Sequence, residues 1–215
     1  MNDQMKEKIA AFDVDAQKTF GLAILNELYV SGGEGIVSEL NAQAEFAQYR
    51  VASKDAHPPK PLWLAADVSE QFQPVEGDHP NLDVKWGRHG VVGSEGFELL
   101  DGLPQPAAYD FMVYKGVEPD MHPYGACYHD LKDQISTGVI EWLKVKGVEI
   151  VIVGGLATDY CVKLTVLQLL AAGFRVIVNL GACRGIAPES VAAATKEMAS
   201  AGAEFVRSSK DLREM

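Results

Sequence analysis

The stretch that most limits how this chain can fold is residues 149–155, EIVIVGG, an almost unbroken apolar run closed by two glycines. A strand with no polar face must be covered on both sides, which is the condition of a central strand in a parallel sheet. Comparable runs occur at 9–15 (IAAFDVD), 50–53, 109–115 (YDFMVYK), 175–180 (RVIVNL) and 203–208. Between them lie stretches with helical spacing, within 35–49 and at 131–146, 159–172 and 188–200. Strand and helix patterns in alternation are the mark of repeated β-α units. The expectation is an α/β fold: a single doubly wound domain over residues 1–215, with a mainly parallel sheet of about six strands and helices on both faces. A chain of 215 residues suits one such domain.

Residues 58–103 break the pattern. They hold five of the ten prolines (Pro58, Pro59, Pro61, Pro74, Pro80) and little periodicity. This reads as a Pro-rich functional loop region, because long ordered loops in compact domains usually carry function. The net charge of −11 argues against nucleic acid and anionic membranes as partners, since both select basic surfaces. No apolar stretch is long enough to span a bilayer, and the N-terminus MNDQMKEKIA does not resemble a signal peptide. Cys127, Cys161 and Cys183 are odd in number and widely spaced, which suits free thiols in a reducing, cytoplasmic setting.

In an open α/β sheet, ligands bind beyond the carboxyl ends of the strands. Asp15, Asp55, Lys115 and the GGLATDYC turn all fall at such ends. Cys161 follows Thr158 and Asp159, either of which could cap the next helix, so its sulfur belongs to a first helical turn. There the helix dipole favours a thiolate and free backbone N–H groups can hold an oxyanion. Asp15 is a candidate base; Asp13, two residues earlier, shares its sheet face and is not separated from it by sequence. Lys115 could sustain the thiolate and orient the carboxylate. Asp55 and His57, two apart on an extended strand end, can point to one side, and His89 adds a second imidazole, a set suited to Zn²⁺, Fe²⁺ or Mn²⁺. His79, His122 and His129 have no supporting spacing and read as surface residues. Cys127 and Cys183 read as structural.

Taken together, DxQxxF (15–20), SxDxH (53–57), WxxH (86–89), YKG (114–116) and GxATDxCV (155–162) resemble the nicotinamidase (pyrazinamidase) branch of the isochorismatase-like cysteine hydrolases. The likeness runs from residue 9 to about 185. It implies that Cys161 is the nucleophile, Asp15 the acid/base and Lys115 the third catalytic residue. It also implies an oxyanion hole from the N–H groups of Ala157 and Cys161, with a cis peptide before Ala157. Asp55, His57 and His89 match metal ligands, while Phe20, Trp86 and Tyr124 match the walls of a nicotinamide pocket. The chain departs from the pattern around that pocket. Lys18-Thr19 replaces a usual Asn-Asp, and Pro58-Pro59-Lys60-Pro61 stands where a further histidine or acid often follows, leaving Asp67, Glu70 or water to complete the metal site. The usual WPxHC has become Trp86-Gly87-Arg88-His89-Gly90, and Cys127 replaces a common phenylalanine.

The implied activity is hydrolysis of nicotinamide to nicotinate and ammonia through a cysteine thioester, a step of NAD salvage, with a divalent metal ion orienting the pyridine ring. The alternative within the superfamily is an amidohydrolase of ureido or carbamoyl compounds. The partner expected is a small carboxamide, with a homo-oligomer left open.

Overall fold

A computed structural model describes residues 6–214. Its centre is one six-stranded, all-parallel sheet in the order β3-β2-β1-β4-β5-β6. The strands are β1 (Ile9–Val14), β2 (Tyr49–Asp55), β3 (Phe111–Lys115), β4 (Ile150–Leu156), β5 (Arg175–Arg184) and β6 (Glu204–Val206). Helices α1 (Lys18–Gly21), α2 (Val37–Ala44), α3 (Val139–Val145), α4 (Lys163–Ala171) and α5 (Pro188–Ser200) connect them. The doubly wound fold expected from the alternating pattern is the one observed.

Both faces of the sheet are dry. Ala10, Phe12, Val14, Val151 and Val153 pack against Ile140 and Leu143 of α3, Val166 and Leu169 of α4, and Met198 of α5. On the other face Ile9, Ala11, Ile152 and Ile177 meet Ala47 and Leu212, while Leu40 of α2 covers Ala52 and Ala182. Every residue of β1 is buried, as an interior strand of a covered sheet requires. Because the chain winds outward from β1 to β3 and then returns to β4 beside β1, the strand order reverses between β1 and β4. Such a reversal leaves a crevice past the carboxyl ends of the two strands.

Three local expectations change. The helix read over 131–146 survives only as Val139–Val145. Its first half is a loop in which the Asp130 carboxylate accepts from the backbone N–H groups of Lys132, Gln134 and Ile135, at 3.3, 2.8 and 2.7 Å. With Asp133 at φ 56° and Gly138 at φ 87°, a continuous helix cannot form. Strand β5 runs four residues past 180, to Arg184. The helix after β4 opens with a π turn, Thr158–Val162, before α4 begins. The segment between β2 and β3 has only short 3₁₀ turns, as its prolines suggest, yet it carries its own small core of Trp63, Leu82 and Trp86 packed on Tyr124 and Tyr160. Among the described residues no helix is long and apolar enough to cross a membrane.

Candidate active site

The strand ends bring four polar side chains to the β1/β4 crevice. Lys115, fully buried, stands between three of the groups picked out from the sequence. Its Nζ lies 3.0 Å from Asp15 Oδ2, pairs closely with Asp55 Oδ1, and is 3.8 Å from Cys161 Sγ. It also donates to the Pro123 carbonyl at 3.3 Å. Asp15, Asp55 and Cys161 put ligand-type atoms within 4.8 Å of one another, but the ammonium already supplies the cation that such a trio attracts.

Asp15 is held by Ser53, whose hydroxyl donates to Oδ1 at 2.6 Å. Its backbone has φ 45°, a left-handed conformation that aspartate tolerates better than most residues. That turn takes Asp15 out of strand alternation, so it does not share a face with Asp13 as strand periodicity suggested. The Asp13 carboxylate instead pairs with Arg50 at 2.7 Å and accepts from Tyr109 at 2.9 Å, away from Cys161. Gly155 makes the neighbouring approach possible: at φ 143° it lies so close to the Val14 carbonyl that any Cβ would collide with it.

Burial dominates the charges here. It pushes the Asp15 carboxyl up, with Lys115 opposing and Asp55 reinforcing. Asp55 experiences the same burial, but the Lys115 ammonium and His57 outweigh it and hold Asp55 well below the usual range. Two carboxyls on one ammonium are thus split into a strong acid and a proton acceptor. Burial also pushes the Cys161 thiol well up, against the pull of Lys115. Burial thus works against the thiolate that a helix terminus would favour. Asp159 does not cap the turn that bears Cys161. Its carboxylate accepts from Ile186 N–H and the Ser190 hydroxyl, at 3.1 and 2.5 Å, and so anchors the loop ahead of α5 and the helix's first turn. The Leu156–Ala157 peptide is cis.

Beside this group lie three buried imidazoles, His57, His89 and His122, with one nitrogen of each within 4.8 Å of the others. His57 Nδ1 donates to the Gly116 carbonyl at 2.9 Å, and Gly116 at φ 71° leaves room that a Cβ would take from the ring. His89 Nδ1 donates to the Gly87 carbonyl at 2.7 Å. Each bond turns the other nitrogen, Nε2, inward as an acceptor. Asp55 Oδ2 lies 3.7 Å from His57 Nε2 and 3.6 Å from His89 Nε2. These donors could hold a metal ion. His79 and His129 are only partly exposed but stand outside the cluster, whereas His122 is 4% exposed and inside it, so the reading of His122 as a surface residue is wrong. The one signal for it was position: it lies on the short run between Lys115 and Tyr124. Asp67 and Glu70 do not complete the site. Asp67 binds Ser69, and Glu70 accepts from Ala66 N–H.

A cavity opens on Cys161 and is lined by Phe20, Trp86, His89, Tyr124, Tyr160 and Ile186. The Trp86 indole donates to the Tyr124 hydroxyl at 3.0 Å, which donates to Asp83 at 2.8 Å, so the aromatic wall is fixed by a polar chain. Tyr160 and Trp63 had no mark in the sequence, and Gln17 had only its place in DxQxxF. Trp63 packs edge-on against His57 and His122. Gln17 clamps the Asp55 backbone, donating to its carbonyl at 2.9 Å and accepting from its N–H at 2.8 Å.

Residues 37–210 match the isochorismatase domain. The chain is 35% identical to the nicotinamidase of Escherichia coli (strain K12) over 197 residues, which cover 88% of this chain and 90% of that one. The chain belongs to the isochorismatase family, in its nicotinamidase branch. Among solved structures, an Acinetobacter baumanii nicotinamidase/pyrazinamidase superposes with a TM-score of 0.84 at 28% identity, covering 96% of this chain and 98% of the other. The pyrazinamidase of Pyrococcus horikoshii in complex with zinc gives a TM-score of 0.72 at 28% identity, over 93% and 98%.

Proposed function

We propose that this chain is a nicotinamidase: it hydrolyses nicotinamide to nicotinate and ammonia, with Cys161 as the nucleophile. The observation that carries the proposal is the position of Lys115 Nζ between Asp15, Asp55 and the Cys161 sulfur, at the mouth of an aromatic cavity. The E. coli relative is a nicotinamidase, and the aromatic side chains Phe20 and Trp86 that line the cavity suit a flat ring.

Phe20 and Trp86 flank the ring and leave the carboxamide carbon at Cys161. Asp15, whose carboxyl is raised by burial, takes the thiol proton as sulfur adds to the carbonyl carbon. The oxyanion is held by the N–H groups of Ala157 and Cys161 at the start of a helix, where backbone donors have no intrahelical partner. Asp15 returns the proton to the departing ammonia, and a thioester remains. Water, deprotonated by Asp15, cleaves the thioester and releases nicotinate and the thiol. Lys115 keeps Asp15 and Asp55 in place and balances the charge throughout.

His57, His89 and Asp55 would hold a divalent ion, zinc by analogy with the P. horikoshii protein, or iron or manganese. The residues fit it: His57 Nε2 is buried without a hydrogen-bond partner, and burial pushes His89 down to about 3, so that ring is a neutral donor. Such an ion supplies a Lewis-acid contact for the pyridine nitrogen. Three free, buried cysteines fit a cytoplasmic setting. The test is conversion of nicotinamide followed by NMR, before and after chelation. Nicotinate formation that falls on chelation and returns with added zinc is expected; no conversion under any metal condition sinks the proposal.

A further inference from the structure

Outside the residues already assigned, the most informative group is His122. It comes from the run between β3 and α3, far in sequence from His57 and His89, and two backbone contacts fix where it sits. Its N–H donates to the Asn81 carbonyl at 3.1 Å, and the next residue's carbonyl, that of Pro123, accepts from Lys115. The ring lies 4.4 Å from Trp63 and 5.8 Å from Trp86, centroid to centroid.

The cluster lacks protons. His57 and His89 each spend their single N–H on a carbonyl, which leaves both Nε2 atoms as bare acceptors. His122 Nε2 faces His89 Nε2 at 3.4 Å, while His122 Nδ1 is buried with no partner. A wall residue needs no imidazole, and burying one without satisfying it costs free energy. Three mutually facing nitrogens with too few hydrogens are satisfied by one cation between them.

We propose that His122 is a protein ligand of the metal ion, so that His57, His89 and His122 form a three-imidazole site bordered by Asp55. This rests on the metal reading given above. It also accounts for Pro58-Pro59-Lys60-Pro61: with an imidazole supplied from beyond β3, no ligand is needed just after His57. Asp55 is then free to give one carboxylate oxygen to Lys115 while the other faces the histidine pair.

The test is Co²⁺ and Zn²⁺ binding to the purified full chain, with dissociation constants from competition against a chelator and the visible spectrum of the Co²⁺ form. His122→Phe keeps an aromatic ring against Trp63 and Trp86 but removes both nitrogens; His122→Asn is the second variant should the first fail to fold. Loss of a ligand is expected to weaken binding at least ~100-fold, beyond the ~10–100-fold of an outer contact, and to alter the Co²⁺ d–d bands. Wild-type affinity and an unchanged spectrum in either folded variant would overturn the assignment. If wild-type protein itself binds neither ion, while His57→Ala behaves identically, the metal reading above fails as well, which separates the two outcomes.

Discussion

At the scale of single residues, the three cysteines differ in what stands at the sulfur. Burial pushes Cys183 up to about 12, and Cys127 higher, with no adjacent base to take either proton. At pH 8 a thiol of that pKa is ionised to only about one part in ten thousand. Cys161 is also raised by burial, but Lys115 and Asp15 face its sulfur and the cavity reaches it. Iodoacetamide at pH 8 should therefore label Cys161 at least ~10-fold faster than the other two, read by peptide mass spectrometry. Preferential labelling of Cys183 would show that the environment of Cys161 is misread. The pocket gives a second prediction. Trp86→Ala removes a ring wall and the donor to Tyr124, so KM for nicotinamide should rise ~10-fold, about 1.4 kcal/mol, with kcat less affected. A change confined to kcat would place Trp86 outside the binding wall. The meeting of Cys161, Asp15 and Lys115 could be expected from their strand-end positions, because those follow from apolar runs that are visible in the sequence. The choice of Asp15 over Asp13 could not, since it turns on one left-handed backbone angle.

At the scale of elements, two carboxylates hold loop backbone ahead of helices, work that the sequence hid. Asp130 holds the loop ahead of α3. Partial burial pushes its carboxyl up, but the N–H groups of Ile135, Gln134 and Lys132 outweigh this and leave it below its ordinary value of 3.8. A carboxyl lowered on folding adds stability above its unfolded pKa, and that stability is lost as pH falls through the folded one. Asp130→Ala should thus cost about 1–3 kcal/mol at pH 7, measured by urea denaturation, with the gap to wild type narrowing below pH 3.8. A gap that widens on acidification would contradict this. Asp159, by holding Ile186 and Ser190 from the π turn, ties the backbone next to Cys161 to a second helix. Asp159→Ala should lower stability by about 1–3 kcal/mol and reduce kcat as well, because the turn loses its anchor. Wild-type kcat in a destabilised variant would restrict Asp159 to a structural role. Helical periodicity at 131–146 was real in the sequence, but side-chain acceptors and a left-handed glycine ended the helix sooner than apolar spacing could reveal.

At the scale of the whole molecule, the sheet order explains why distant motifs meet. The reversal between β1 and β4 sets Asp15 beside the turn of Cys161, and the register of Asp55 with Lys115 on β2 and β3 completes the rim. That much follows from alternation of strand and helix patterns, and the sequence carries it. The contribution of the Pro-rich segment does not follow, because its fold is set by tertiary contacts among Trp63, Leu82 and Trp86 rather than by periodicity. His122 was missed for the same reason: no local spacing links it to His57 and His89. The central claim remains that Cys161 attacks the carboxamide carbon. The measurement that tests it most directly is ammonia release from nicotinamide by wild-type protein and Cys161→Ala at equal metal content. Release by the wild type and none above background by the variant is predicted; wild-type release by Cys161→Ala would contradict the account.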